Sequence, residues 1–140
     1  MFSHLSDVQA RELLQNSRVA RLGCIVNGAP YIVPINYDFE GDCVYGHSRA
    51  GMKISALRDN PHACIQVDQV ETVMRWSSVL AFGNFEEIVD PAEREKILNK
   101  LLQRFPLLTP VEIANVKTDS PPEVIVFRIR IDRITGVAEN

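Results

Sequence analysis

The sequence predicts a mainly β protein, built on an antiparallel sheet of six strands with short flanking α-helices. Short runs rich in β-branched residues alternate with turn dipeptides along the chain. Strands and helices do not alternate regularly, which disfavours a parallel α/β sheet. The run from Val124 to Ile131 places apolar side chains at every second position, the pattern of a half-exposed strand. Six such strands with one apolar face close best as a small barrel.

The first predicted element is a helix. Ser6 is placed to cap its N-terminus, and Gln9, three residues later, completes a capping box. Leu5 precedes the cap and is placed to pack on the first turn. The helix is expected to end near Asn16 and Ser17.

A meander of three strands follows, over residues 19–26, 30–37 and 43–47. Asn27-Gly28 joins the first two strands and suits a type I′ turn. Pro34 interrupts the second strand. Because proline donates no ladder hydrogen bond, this strand is predicted to lie at an edge, to be bulged or to face a ligand there.

The second half of the chain is predicted to contain five further elements. Asp90-Pro91 is a strong helix start, with Asp as N-cap and Pro at the first helical position. Thr109-Pro110 is a candidate start for one more short helix. In order, the five elements are a helix over 52–58, a strand over 62–67, a strand over 76–89 after a polar loop at 69–75, a helix over 90–105, and a strand from 124 that is closed by Gly136.

Length and composition predict a single domain over residues 1–140. The hydrophobic share of 46% argues against disorder, and the net charge of −3 argues against a broad nucleic-acid surface. No apolar run approaches the roughly 20 residues that span a bilayer, and the N-terminus lacks a signal-peptide pattern. We therefore expect a cytoplasmic protein with no membrane partner. The cysteines lack CxxC spacing and no metal-ligand spacing occurs, so no metal is expected and the thiols are interpreted as buried.

The segment from Cys43 to Asp59 is a candidate phosphate site. A helix N-terminus offers unpaired amide groups and partial positive charge, which suit a phosphate. Ser48 would add a hydroxyl donor, and Lys53 a full charge that Arg49 would supplement. The alternative is a solvated loop in which Ser48 is a plain N-cap. His47, at the strand end beside this loop, is either a ligand contact or a packed residue.

A second candidate is Trp76-Ser77-Ser78, where an indole and two hydroxyls open a strand. Aromatic rings and hydroxyls are common in cofactor pockets, so these residues would suit the edge of a planar ligand. The alternative is a rim tryptophan that covers the core.

In their order along the chain, these pieces resemble the pyridoxamine phosphate oxidase-like FMN-binding split-barrel superfamily. They are most similar to its nitroimidazole-resistance and flavin-nucleotide-binding branch. The resemblance covers roughly residues 6 to 136. It is carried by Arg21-Leu-Gly-Cys-Ile-Val, Asn27-Gly28, Pro30-Tyr-Ile-Val-Pro34-Ile-Asn-Tyr37, Tyr45-Gly-His47-Ser48, Gly51-Met-Lys53 and Ser77-Ser-Val-Leu-Ala-Phe-Gly83.

The resemblance implies a split β-barrel and a homodimer with two FMN sites at the subunit interface. It implies that Val33, Pro34, Ile35 and Asn36 lie along the isoalloxazine ring. It also implies that Lys53 and the Met52 backbone hold the phosphate, with Arg49 as a second basic residue. The remaining cofactor-binding candidates are His47 and Ser48 near the ribityl-phosphate end or ring edge, Trp76, Ser77 and Ser78 against the flavin of either subunit, and Gln66.

The preferred interpretation is a small FMN-dependent oxidoreductase that takes a small-molecule substrate and NAD(P)H, with His47 in a catalytic role as proton donor or substrate anchor. Vitamin B6 oxidation is not expected, because the Arg and His pair of the oxidases themselves is missing. The alternatives are an FMN carrier or sensor, a haem-binding or haem-degrading relative with His47 as axial ligand, and a deazaflavin-binding relative. Val79, Ala81 and Phe82 are expected to leave an apolar face that a dimer would cover.

Overall fold

The computed structural model of the chain describes residues 1–105 and 124–140. The short helix predicted to begin at Thr109 lies outside the described residues. No described helix is long and apolar enough to cross a membrane. The elements are β1 (Phe2–His4), α1 (Asp7–Asn16), β2 (Val19–Val26), β3 (Ala29–Asn36), β4 (Asp38–Glu40), β5 (Cys43–Arg49), α2 (Met52–Asp59), β6 (His62–Thr72), β7 (Arg75–Glu87), α3 (Pro91–Arg104) and β8 (Val124–Glu139).

Local capping chemistry sets two of the helix starts, as the sequence predicts. The Gln9 amide donates to the Ser6 hydroxyl at 3.1 Å, and the Ser6 amide donates to the Gln9 side-chain oxygen at 2.9 Å. This is the predicted capping box. At α3 the Glu93 amide donates to the Asp90 carboxylate at 3.0 Å, and Pro91 occupies the first turn.

The eight strands form one antiparallel sheet in the order β3-β2-β6-β7-β8-β5-β4, with β1 added beside β8. Its two end strands, β3 and β4, are joined by Tyr37 alone. The sheet therefore curls until its ends meet, without a ladder between them among the described residues. The result is a mainly β, antiparallel split barrel, which confirms the predicted fold class.

Tyr37 secures this junction from inside. Its side chain is fully buried and its hydroxyl donates to the Leu14 carbonyl of α1. Burial raises the pKa of the Tyr37 hydroxyl to about 12. The phenol therefore stays a neutral hydrogen-bond donor that ties α1 to the point where β3 gives way to β4.

The sequence-based count of six strands is wrong, because residues 1–105 and 124–140 already contain eight. The additional strands β1 and β4 have three residues each, too few to show an alternating pattern. The predicted loop at 69–75 is also mostly strand: β6 runs to Thr72, and only residues 73 and 74 form the turn. Pairing of Gln69 with Ser77 and Val70 with Trp76 keeps this polar segment extended.

The core lies on the inner face of the barrel, where α1 and α2 also bury Leu14, Ile54 and Leu57. Val79 and Ala81 are fully buried in it, so the expectation that they form an uncovered face is wrong. Successive strand residues point to opposite faces, and it is Leu80 and Phe82 that lie on the outer side of β7.

Ion pairs attach α3 to the outer side of the sheet. The Arg128 guanidinium on β8 donates to Glu86 at 2.7 Å and also to Glu93 on α3. Arg130 donates to Glu86 at 3.0 Å. These two guanidinium groups, Arg130 first and Arg128 second, lower the pKa of Glu86 to about 2.

Candidate functional site

The N-terminus of α2 lacks a side-chain cap. Its N-cap is Gly51, which has extended backbone and no side chain to accept from the first-turn amides. Ser48 is not the cap, because its hydroxyl donates to the Arg49 carbonyl at 2.9 Å. The eight-residue helix therefore begins with amide groups that no described side chain satisfies.

Lys53 lies in the first turn of α2 and is half-buried beside Cys24 of β2. Burial lowers the pKa of its ammonium group, and the Cys24 thiol acts weakly in the opposite direction. No carboxylate of the described residues lies within ion-pair distance of it. A partly desolvated cation at a helix N-terminus is unfavourable in two ways, and an anion bound there would relieve both.

Pro34 lies on an edge strand, which is one of the three explanations that the sequence leaves open. Within the described residues β3 pairs only with β2, and Pro34 lies opposite Arg21. Val33 and Ile35 face the core side of β3, whereas Pro34 and Asn36 are exposed on the other. The free edge of β3 leaves backbone groups available to a ligand.

His47, Ser48 and Arg49 occupy the last three positions of β5, opposite Val126, Ile125 and Val124 of β8. Strand alternation places His47 and Arg49 on the outer face and Ser48 on the inner face. His47 and Ser48 are thus next to each other in sequence, but their side chains point to opposite faces of the sheet.

An apolar trough of about 680 Å³ runs over the outer face of β3, β2, β6 and β7. Its lining includes Gly23, Ile25, Ile32, Cys64, Leu80 and Phe82. Ile32 is 70% exposed and Leu80 is 37% exposed, which is high for large apolar side chains. The trough thus leaves a sheet face of apolar residues open to solvent.

The trough is lined in part by Arg21, Gln66 and Asp68, and Ser78 lies beside Gln66; we call these four polar side chains the polar row. The Gln66 amide donates to Asp68 and to Ser78, each at 3.1 Å. The Arg21 guanidinium lies 3.5 Å from the other Asp68 oxygen. Arg21 also lies beside Pro34 on one side and Gln66 on the other in the strand ladders.

Trp76 and Ser77 lie further along β7. The Trp76 indole meets the Phe2 ring edge-on, with centroids 6.4 Å apart. Trp76 and Ser78 lie on the outer face of the sheet, and Ser77, opposite Ala138, lies on the inner face. Of the three, only Ser78 belongs to the polar row.

The structure thus brings four of the sequence-predicted candidates together in two regions. Met52 and Lys53 lie at the start of α2, whereas Gln66 and Ser78 lie in the polar row. Sequence reasoning missed Arg21 and Asp68. Ending β6 at Val67 hid Asp68, although continued alternation from Gln66 would have placed both side chains on one face.

Comparison with known proteins identifies the class to which this fold belongs. The family model described as pyridoxamine 5'-phosphate oxidase matches residues 6–138. The chain therefore belongs to that family. A curated relative, the uncharacterized protein RA0666 of Rhizobium meliloti (strain 1021), is 37% identical over 70 residues, which are 50% of this chain and 46% of that protein. The match thus spans less than half the length of that relative.

Solved structures of similar proteins cover almost the whole chain. An FAD-binding protein of Mesorhizobium loti is 27% identical, with a TM-score of 0.78 over 100% of this chain and 99% of that one. A candidate 5-nitroimidazole antibiotic resistance protein of Bacteroides thetaiotaomicron is 23% identical, with a TM-score of 0.75 over 99% and 87% of the two chains. The second likeness is one of fold alone.

Proposed function

We propose that this chain is a small flavin-dependent oxidoreductase that binds FMN and works as a homodimer. The observation that carries the proposal is Lys53, a half-buried ammonium group without a carboxylate partner among the described residues, at an uncapped helix start. A phosphate monoester supplies the anion that this arrangement lacks. Membership of the family and the FAD-binding relative in Mesorhizobium loti support a flavin.

The residues present fit a flavin nucleotide. The phosphate would accept hydrogen bonds from the Lys53 ammonium and from the backbone amides of Met52 and Lys53, with Arg49 as a second cation. The free edge of β3, from Val33 to Asn36, offers backbone donors and acceptors along an isoalloxazine ring. Apolar side chains of the trough suit the rest of the ring system.

The positions of these groups also support a dimer. Lys53 lies beside Cys24, whose side chain belongs to the core, whereas the trough and the polar row lie on the outer face of the same strand. One flavin reaches both regions most simply if the trough of one protomer covers the flavin that Lys53 holds in the other. The exposed Ile32 and Leu80 give the dimer apolar surface to bury.

The flavin would supply the hydride or electron transfer, and the chain would bind and orient it. Lys53 would hold the phosphate. His47, on the outer face of β5, would donate a proton to the substrate, because imidazole titrates near neutral pH. NAD(P)H would be the electron donor for a small-molecule substrate.

An absorbance spectrum of the purified protein, with mass spectrometry of the released cofactor, tests the binding step. We expect flavin bands and the mass of FMN. The mass of FAD would show that the bound nucleotide is FAD rather than FMN, and the mass of a deazaflavin would show that the ring system is not that of a flavin. A Soret band that develops only with haem, and not with flavin, would overturn the proposal.

Turnover needs a separate test, because a flavin carrier would also be yellow. We expect the loaded protein to oxidise NAD(P)H, or to reduce a nitro compound, at catalytic rates. His47→Ala should lower kcat at least tenfold with flavin content unchanged, whereas Glu12→Ala, at an exposed position of α1, should not. Full turnover in His47→Ala would show that His47 is not the proton donor. If the wild type itself shows no turnover, the protein is a flavin carrier and not an oxidoreductase.

The homodimer is tested by light scattering at micromolar concentration. We expect the mass of two chains for the wild type. Ile32→Lys should produce a monomer, because it puts a charge at the most exposed apolar position of the trough. A wild-type protein that binds FMN but is monomeric at this concentration would contradict a flavin site shared between two protomers.

A further inference from the structure

The polar row presents a defined pattern of hydrogen-bonding groups. Both N–H groups of the Gln66 amide are used, on Asp68 and Ser78, so its carbonyl oxygen is left as an acceptor. Ser78 accepts from Gln66 and keeps its own hydrogen to donate. Arg21 makes one contact among the described residues, the 3.5 Å approach to Asp68, and has further N–H donors available.

The order across neighbouring strands is therefore donor, acceptor, donor: Arg21 on β2, Gln66 on β6 and Ser78 on β7. The pyrimidine edge of an isoalloxazine ring carries the complementary order of O2, N3–H and O4, that is, acceptor, donor, acceptor. Asp68 holds Gln66 in the orientation that gives this pattern, and so acts as a positioning residue.

We propose that the polar row binds the pyrimidine edge of the flavin and that Arg21 tunes its redox potential. The inference rests on the proposed flavin site and adds Arg21, which is not among the cofactor-binding candidates predicted from the sequence. In it Arg21 donates to O2 beside N1, Gln66 accepts from N3–H, and Ser78 donates to O4. Electrostatics selects this orientation, because reduction places negative charge on the N1–C2–O2 side of the ring.

The floor of the trough suits a flat ring. Gly23 lies between Ile32 and Cys64 in the ladders, and a Cβ added there would meet only the Cys64 carbonyl oxygen at 3.7 Å and Cβ at 3.9 Å. That is ordinary van der Waals contact. Ala is therefore compatible with the fold at this position, while its methyl group would raise the floor on which the ring lies.

The redox consequence follows from charge. Uptake of two electrons and one proton by the flavin leaves one negative charge on the ring. A guanidinium beside that charge stabilises the reduced form more than the oxidised form, which raises the midpoint potential. Asp68 offsets part of this effect, because its carboxylate approaches one N–H of Arg21.

The test measures flavin affinity and midpoint potential in reconstituted full-length protein. Arg21→Gln should weaken binding of the reduced flavin about tenfold more than binding of the oxidised flavin. This corresponds to a fall of about 30 mV in the midpoint potential of a two-electron couple. Arg21→Lys keeps the positive charge, so its midpoint potential should lie close to that of the wild type. Arg75→Gln is the control, since Arg75 pairs with Glu71 at the exposed β6–β7 turn. An unchanged potential in Arg21→Gln would overturn the role of Arg21.

A flavin methylated at N3 tests the edge directly. We expect the wild type to bind 3-methyl-FMN at least tenfold more weakly than FMN, because the methyl group removes the donor and meets the Gln66 oxygen. Gly23→Ala should weaken the binding of both FMN and 3-methyl-FMN, while the free energy of unfolding stays unchanged. Equal affinity for the two flavins would overturn the assignment of the polar row. Failure of the wild type to bind any flavin would instead overturn the proposed function.

Discussion

Charged side chains at the α3 end of the barrel and at the α2 end have opposite surroundings. At α3, Arg128 lies between Glu86 and Glu93 and links helix to sheet. At α2, Lys53 is half-buried without a carboxylate partner among the described residues. Burying an unpaired charge costs free energy, whereas the matched cluster offsets its own desolvation. This difference fits the proposed function, in which the Arg128 cluster maintains the fold and Lys53 binds the phosphate.

The largest expected effect comes from removing the unmatched charge. Lys53→Met should weaken FMN binding by about 10- to 100-fold, since a hydrogen bond to a charged group contributes about 1.5–3 kcal/mol. The free energy of unfolding of the flavin-free protein should stay the same or rise, because a desolvated charge is gone. Fluorescence titration and urea denaturation measure the two quantities.

Lys96→Met is the matched control for this substitution, because Lys96 is an exposed lysine on α3. Its flavin affinity should equal that of the wild type. A Lys53→Met protein that binds FMN with wild-type affinity would show that Lys53 does not hold the phosphate.

Removing the central charge of the matched cluster should have the reverse pattern. Arg128→Met should lower the free energy of unfolding by about 1–2 kcal/mol, because Glu86 and Glu93 lose a shared donor and repel each other. Flavin affinity should not change. Arg75→Met removes an exposed pair at 3.7 Å and should stay within about 0.5 kcal/mol of the wild type. Equal stability of both variants would show that the cluster does not hold α3.

The smallest effect is a pH dependence. Folding lowers the pKa of Glu86 from 4.5 to about 2, through Arg130 and then Arg128. A depressed pKa stabilises the fold above the unfolded value, and this stability is lost as pH falls from about 4.5 to 2. Because the Glu86 side chain is partly exposed, we expect about 1 kcal/mol. Urea denaturation across this range should show a shallower pH slope in Glu86→Gln, with Glu12→Gln unchanged.

Local chemistry made a large part of the fold predictable. The capping box at Ser6 and Gln9, the Asp90-Pro91 helix start and the Asn27-Gly28 turn each act over a few residues, and the structure has all three. The strands β1 and β4 were missed because they carry no such local signal. Three residues are too few to show an alternating pattern, and only a partner strand keeps them extended.

The sequence by itself determined the antiparallel class, the helix starts and the segment that carries Lys53, because capping, turns and alternation are local. Tertiary structure alone decided which faces are open and which charges have partners. Arg21, Gln66 and Ser78 meet only because β2, β6 and β7 are neighbours in the sheet. Ladder pairing joins Arg21 to Gln66, 45 positions later, and a side-chain hydrogen bond joins Gln66 to Ser78, 12 positions later. No pattern within one strand reports which strand lies beside it.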